Sequence, residues 1–135
     1  LDYKYAVTPI FAWLVAGSVK FLVNYIRFRK EAVNLIGNGG FPSTHTTVIS
    51  STVFFIGFTE GIATPMFSLG LAVLMITMFD AMGIRRAVGK HASMINQYVR
   101  LDSAKTLRER QGHTPIEILG GLSTGFLVAY LLHSI

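Results

Sequence analysis

Pro65-Met66-Phe67-Ser68-Leu69-Gly70-Leu71-Ala72-Val73-Leu74-Met75-Ile76-Thr77-Met78-Phe79-Asp80-Ala81-Met82 is an almost unbroken apolar run, with Asp80 near its end as the only ionisable residue. A helix of this length can cross a bilayer, which takes roughly 17–25 apolar residues. Three more apolar runs flank it, at about residues 7–26, 46–58 and 115–133. The run at 46–58 is short and must borrow flanking residues or thin the bilayer. Hydrophobic residues make up 51% of the 135-residue chain and charged residues 14%, well under the roughly 25% charged residues of a soluble domain. The expectation is one domain over 1–135, an all-α integral membrane bundle of about four transmembrane helices.

The connections differ in charge. Arg27, Arg29 and Lys30 follow the first run, against Glu31, whereas the connection after the second carries only Glu60. Between the third and fourth runs lie Arg85, Arg86, Lys90, Arg100, Lys105, Arg108 and Arg110, against Asp102 and Glu109. The positive-inside rule puts the first and third connections in the cytoplasm and both termini outside. Residues 84–101 have Ile84, Val88, Ala92, Ile95 and Val99 at helical spacing, which predicts a basic amphipathic cytoplasmic loop helix. Residues 102–111 read as a polar, mobile stretch. No cleavable signal peptide is evident, because Lys20 interrupts the first run and no small-residue cleavage site follows. The formal net charge of +5 suits anionic headgroups or phosphorylated substrates. Nucleic acid is not an expected partner, because the cations flank apolar spans. Without Cys there is neither a disulfide framework nor a thiolate metal site.

Four groups of residues carry chemistry. Lys20 and Arg27 are seven apart, about two helical turns, and share a helix face. Lys20 lies inside an apolar span, where an ionisable side chain points to function unless it merely snorkels to the interface. Gly39-Gly40-Phe41-Pro42-Ser43-Thr44-His45-Thr46 joins paired glycines, which let backbone N–H groups approach an anion, to a helix start that Ser43 or Thr44 can cap. His45 then falls in the first turn. Asp80, Arg85 and Arg86 close the third run; adjacent arginines can fork onto phosphate oxygens, or Asp80 and an arginine can form a plain salt bridge. In Gly112-His113-Thr114-Pro115-Ile116-Glu117, His113 and Glu117 are four apart and can meet on one helical face. The same residues read as a capping box with Pro at the first helical position, so Glu117 serves His113 or the helix start. His91 is a further candidate in the basic loop. With alternating helix directions, Arg27, His45, Asp80–Arg86 and His113 fall on one membrane face, and Lys20 lies one to two turns deeper.

Lys20-x6-Arg27 followed by Pro42-Ser43-Thr44-His45 resembles the first two motifs of the type 2 phosphatidic acid phosphatase superfamily, which also contains the vanadium haloperoxidases. Gly39–Gly40–Phe41–Pro42–Ser43–Thr44–His45, the stretch Phe79 to Arg86, and Gly112–His113–Thr114–Pro115–Ile116–Glu117 are more similar to its divergent bacterial and plastid branch. The sequence departs from the familiar pattern in three ways. Phe28 stands where Pro follows the first-motif arginine. Leu107 stands where the third-motif arginine precedes His113, while Arg85-x5-His91 keeps the arginine–histidine spacing but has Ile95 in place of the acid. Four apolar runs replace about six helices, a deficit that a homodimer would cover.

The resemblance implies a metal-independent phosphoric ester hydrolase without a cofactor, in a bacterial plasma membrane or a plastid membrane, acting on a lipid phosphate through a phosphohistidine. Under it His113, preferred to His91, is the nucleophile, Glu117 or Asp80 its orienting acid, and His45 the general acid. Lys20, Arg27, Arg85 and Arg86 clamp the phosphate, assisted by Ser43 and the Gly40 amide. Two rival readings use the same residues: a non-catalytic anionic-lipid binding or transport protein, and a metal site built from His45, His113, Asp80 and Glu117.

Overall fold

The computed structural model is a helical bundle; the structure describes residues 3–35, 39–99 and 106–135. Arg100, Asp102 and Lys105 of the third connection lie outside the described residues. Helices α1 (Lys4–Phe28), α2 (Thr44–Thr59), α3 (Pro65–Met82), α4 (Ile84–Val99) and α5 (Pro115–Ser134) follow one another, with a 3₁₀ segment, Arg29–Leu35, after α1. Among the described residues all regular structure is helical.

The stretches Lys4–Val33, Pro65–Val99 and Pro115–Ser134 are long and apolar enough to cross a membrane. The second of these takes in both α3 and α4, which meet at Gly83. The outward faces of these helices carry large apolar side chains, among them Ile10, Trp13, Ile76, Phe79, Leu127 and Leu131. That pattern is stable only where lipid replaces water. The α2 helix differs. Its 16 residues span only about 24 Å at 1.5 Å per residue, and it packs against α1, α3 and α5. A helix enclosed by its neighbours need not match the bilayer by itself, which is how the short second run is accommodated in the four-helix membrane bundle.

Enclosure also explains the composition of α2. Thr46, Thr47, Ser50 and Ser51 are fully buried. The Thr47 hydroxyl donates to the Ser43 carbonyl at 2.9 Å, and that of Ser51 to the Val48 carbonyl at 2.8 Å. No buried side-chain polar atom among the described residues lacks a partner. Opposite them α5 presents Gly120, Gly121 and Gly125. A Cβ at Gly121 would stand 2.8 Å from the Ser43 carbonyl oxygen and from the Thr46 Cβ, and one at Gly125 would stand 2.9 Å from the Ser51 nitrogen and the Thr47 oxygen. Small residues on one helix and short hydroxyl side chains on the other bring the two backbones together, the usual solution where lipid gives no hydrophobic drive between helices. Far from the loops, Phe58 packs edge-on against Phe126 and Tyr130, so α2 and α5 run parallel and both begin at the same end.

Candidate functional site

The helix starts are built locally. Ser43 caps α2, accepting from the Thr46 amide, and Thr114 caps α5 in a complete capping box with Glu117, with Pro115 in the first helical turn. The two loops are tied to the bundle and to each other by backbone. The Ser43 amide donates to the Glu117 carbonyl at 2.9 Å, and the His113 amide to the Ala81 carbonyl at 3.0 Å. Gly112 has φ +78°, and a Cβ there would lie 2.6 Å from the Ala81 oxygen and 2.7 Å from the Arg86 Cγ. A Cβ on Gly39 would lie 2.9 Å from the Gly112 oxygen. Gly39 and Gly112 are thus where two loops and the end of α3 meet, with no room for a side chain.

Between α1 and these loops lies a cavity of about 1260 Å³. Its polar end holds Lys20, His45, Arg85 and His113, four of the residues singled out in the sequence, together with Arg108 and Gln111. Its flank along α1 is largely apolar, with Trp13, Leu14, Phe21 and Leu22 on the wall and Gly17 among them. Thr44 and His45, in the first turn of α2, line this cavity, so the positive end of that helix lies beside it.

His113 is 7% exposed, and its Nδ1 lies 3.2 Å from Glu117 Oε2. A carboxylate only accepts, so Nδ1–H is the donor and Nε2 carries the lone pair. The same Oε2 accepts from the Thr114 amide at 2.9 Å. Glu117 therefore fills both roles that the sequence leaves as alternatives: it caps α5 and holds the histidine. Burial pushes the His113 imidazole below its ordinary value; the hydrogen bond to Glu117 opposes this, and the charge of Lys20 adds to it.

Asp80 pairs instead with Arg85, Oδ2 to Nε at 2.6 Å, and fixes that arginine where it meets the cavity. Other candidates lie off the wall. Ser43 is fully buried, its hydroxyl engaged with Thr46 at 2.9 Å, so capping rather than anion contact occupies it; Thr44 lines the cavity in its place. Arg27 is exposed in the last turn of α1, sharing a helix face with Lys20 but not its depth. Arg86 packs its stem over Gly112, and Gly40 is buried with φ +142°. His91 is exposed on α4. Among the described residues, no three His, Asp or Glu side chains are grouped so as to hold a metal ion.

Arg108 and Gln111 are the residues that sequence reasoning missed. Arg108 counts there only as one loop charge among several, since nothing local says which loop cation turns inward.

The fold and this cavity define a membrane-embedded helical protein with a cationic, histidine-bearing pocket at one end of its bundle. The chain belongs to the Divergent PAP2 family, which it matches over residues 1–128. It is also similar to the "Uncharacterized membrane protein YuiD" of Bacillus subtilis (strain 168), at 30% identity over 141 residues, covering 91% of this chain and 87% of that protein. No solved structure matches it.

Proposed function

We propose that the protein hydrolyses a lipid phosphomonoester or pyrophosphate through a phosphohistidine. The observation that carries this reading is one cavity with Lys20, Arg85 and a Glu117-held His113 at its polar end and an apolar wall along α1. The cations bind phosphoryl oxygens and stabilise the charge of the pentacoordinate transition state. The His113 Nε2 attacks phosphorus, forming the N–P bond as the bond to the leaving oxygen breaks, and His45 gives that oxygen a proton. Water then attacks the phosphohistidine. The P–N bond breaks, His45 takes the water's proton, and inorganic phosphate leaves. The apolar wall takes the hydrocarbon chain. By the positive-inside rule the polar end, with Arg85 and Arg108 on it and Arg86 and Arg110 packed against its loop glycines, faces the cytoplasm.

The test is phosphate release by the purified protein in detergent, from a panel of lipid phosphates, with EDTA present. Release that orthovanadate inhibits supports the reading. Retained lipid binding without release from any lipid would leave the anionic-lipid binding or transport reading in its place.

Two predictions arise here. Turnover requires neutral His113 and protonated His45, so it is bounded on both sides, and the acid limb is the loss as pH falls through the His113 pKa. Because burial lowers that pKa, the acid limb of kcat/KM should fall below the ordinary histidine value of about 6.5. Lys20→Met removes a positive neighbour and should move the limb up; Glu117→Gln removes the group that raises the pKa and should move it down. A limb that neither variant moves would dissociate it from His113.

The second concerns the chain. A Cβ at Gly17 would meet nothing within 4 Å, yet Gly17 is on the cavity wall. Gly17→Leu should therefore fold normally and narrow the apolar flank. It should lower kcat/KM about tenfold for a long-chain lipid phosphate, the scale of one apolar side chain's burial, and leave a short soluble phosphomonoester unaffected. Equal losses on both substrates would remove the chain from that wall.

A further inference from the structure

Residues 106–111 run along α4. The Asn96 side chain of that helix holds the backbone of Leu107 from both sides: Nδ2 donates to the Leu107 carbonyl at 2.8 Å, and Oδ1 accepts from the Leu107 amide at 2.8 Å. The same Nδ2 donates to Glu109 Oε1 at 2.8 Å. About two turns earlier on α4, Gly89 is buried, and a Cβ there would run into the Glu109 carbonyl and lie 3.4 Å from the Gln111 nitrogen. The segment is also braced internally, Gln111 Nε2 donating to the Arg108 carbonyl at 3.0 Å. Hydrogen bonds from Asn96 and Ser93 hold the Glu109 carboxyl below the usual range, so it stays charged and keeps its grip on Asn96.

This pinning has a directional result. With the Leu107 backbone fixed on α4, the next side chain, Arg108, reaches the cavity and comes within electrostatic reach of Lys20. Three residues on, Gln111 lines the same wall. The Arg108 Nε already donates to the Arg110 carbonyl at 3.3 Å, so the side chain is partly ordered and loses less entropy on binding an anion.

We infer that Arg108 is a further phosphate-binding residue of this cavity, and that α4, through Asn96 and the Gly89 seat, is the device that positions it. The inference rests on the phosphate reading of the cavity. It gives the amphipathic α4 a task within the site and makes Asn96 a positioning residue rather than a surface amide.

The test is orthovanadate affinity of the full chain in detergent, with KM for a lipid phosphate beside it. Arg108→Ala should weaken orthovanadate binding about tenfold, as for loss of a charge-assisted hydrogen bond, and raise KM more than it lowers kcat. Arg108→Lys should recover only part. Asn96→Ala should weaken binding severalfold and add nothing in an Arg108→Ala background, because both act through one guanidinium. Gly89→Ala, whose Cβ would run into the Glu109 carbonyl, should displace the segment and weaken binding while the far-UV circular dichroism of the bundle is unchanged, and so separates misplacement of the segment from misfolding. Unchanged affinity in Arg108→Ala while Lys20→Ala loses it would overturn the inference and leave the phosphate site standing. Additive losses for Asn96 and Arg108 would overturn the positioning role. No orthovanadate binding by the unaltered protein would overturn the phosphate reading and this inference with it.

Discussion

His113→Ala is expected to lower phosphate release from a lipid phosphate by about 10³-fold or more, while orthovanadate affinity falls far less. Removing a covalent nucleophile deletes the route rather than weakening it, and residual rates after such deletions come from binding and charge stabilisation alone. The cations Lys20 and Arg85 remain on the wall and still attract an oxyanion, so binding and chemistry should separate in this variant. Glu117→Gln should sit between: it keeps a side-chain oxygen 3.2 Å from Nδ1 but loses the charge that stabilises the developing imidazolium. His45→Ala should slow the step most for substrates with a poor leaving group, since its proton matters in proportion to the basicity of the departing oxygen. If His113→Ala keeps its rate, the nucleophile lies elsewhere, and exposed His91 on α4 is the sequence's remaining candidate.

What the sequence reveals and what it hides follow from the range of the interactions. Capping is local, so Ser43 and the Thr114–Glu117 box are legible within a few residues, and the alternating helix directions bring Lys20, His45, Arg85 and His113 to one end. Whether Ser43 faces an anion or its own helix is not local. It depends on α5 lying over the loop, through the bond from the Ser43 amide to the Glu117 carbonyl. The same holds for Arg27, which shares a helix face with Lys20 while lying at another depth. The stretch 102–111 reads as polar and mobile because its partners are on α4. Within its described part, residues 106–111, a single amide at Asn96 makes three hydrogen bonds to it and decides where Arg108 goes. The enclosed position of α2 is hidden for another reason: Ser and Thr in an apolar run look like a weak span, and only glycines some 70 residues away make them an interface.

Those glycines carry the largest expected effect on folding. Gly125→Val should destabilise the bundle by about 3 kcal/mol, the upper end of ordinary overpacking, seen as a fall in Tm in detergent. The reason is geometric. A Cβ at 125 would run into Ser50 Oγ and stand 2.9 Å from both the Ser51 nitrogen and the Thr47 oxygen, and two of these three atoms belong to backbone, which cannot rotate away. The helices would have to separate, losing the close approach on which a packed membrane interface depends. Gly125→Ala is the sharper control. Helix propensity alone favours Ala over Gly by about 1 kcal/mol, so a fall in Tm on this substitution reports the contact and not the helix. Gly17→Ala, where a Cβ meets nothing within 4 Å, should show propensity alone and raise Tm or leave it unchanged. Should Gly125→Val leave Tm where it was, α2 and α5 do not approach this closely, and the register that sets the start of α2 beside the start of α5 is lost as the basis of the site. If it unfolds the protein as expected, the loss should carry His45 away from His113, because both histidines reach the cavity only while these two helices begin side by side.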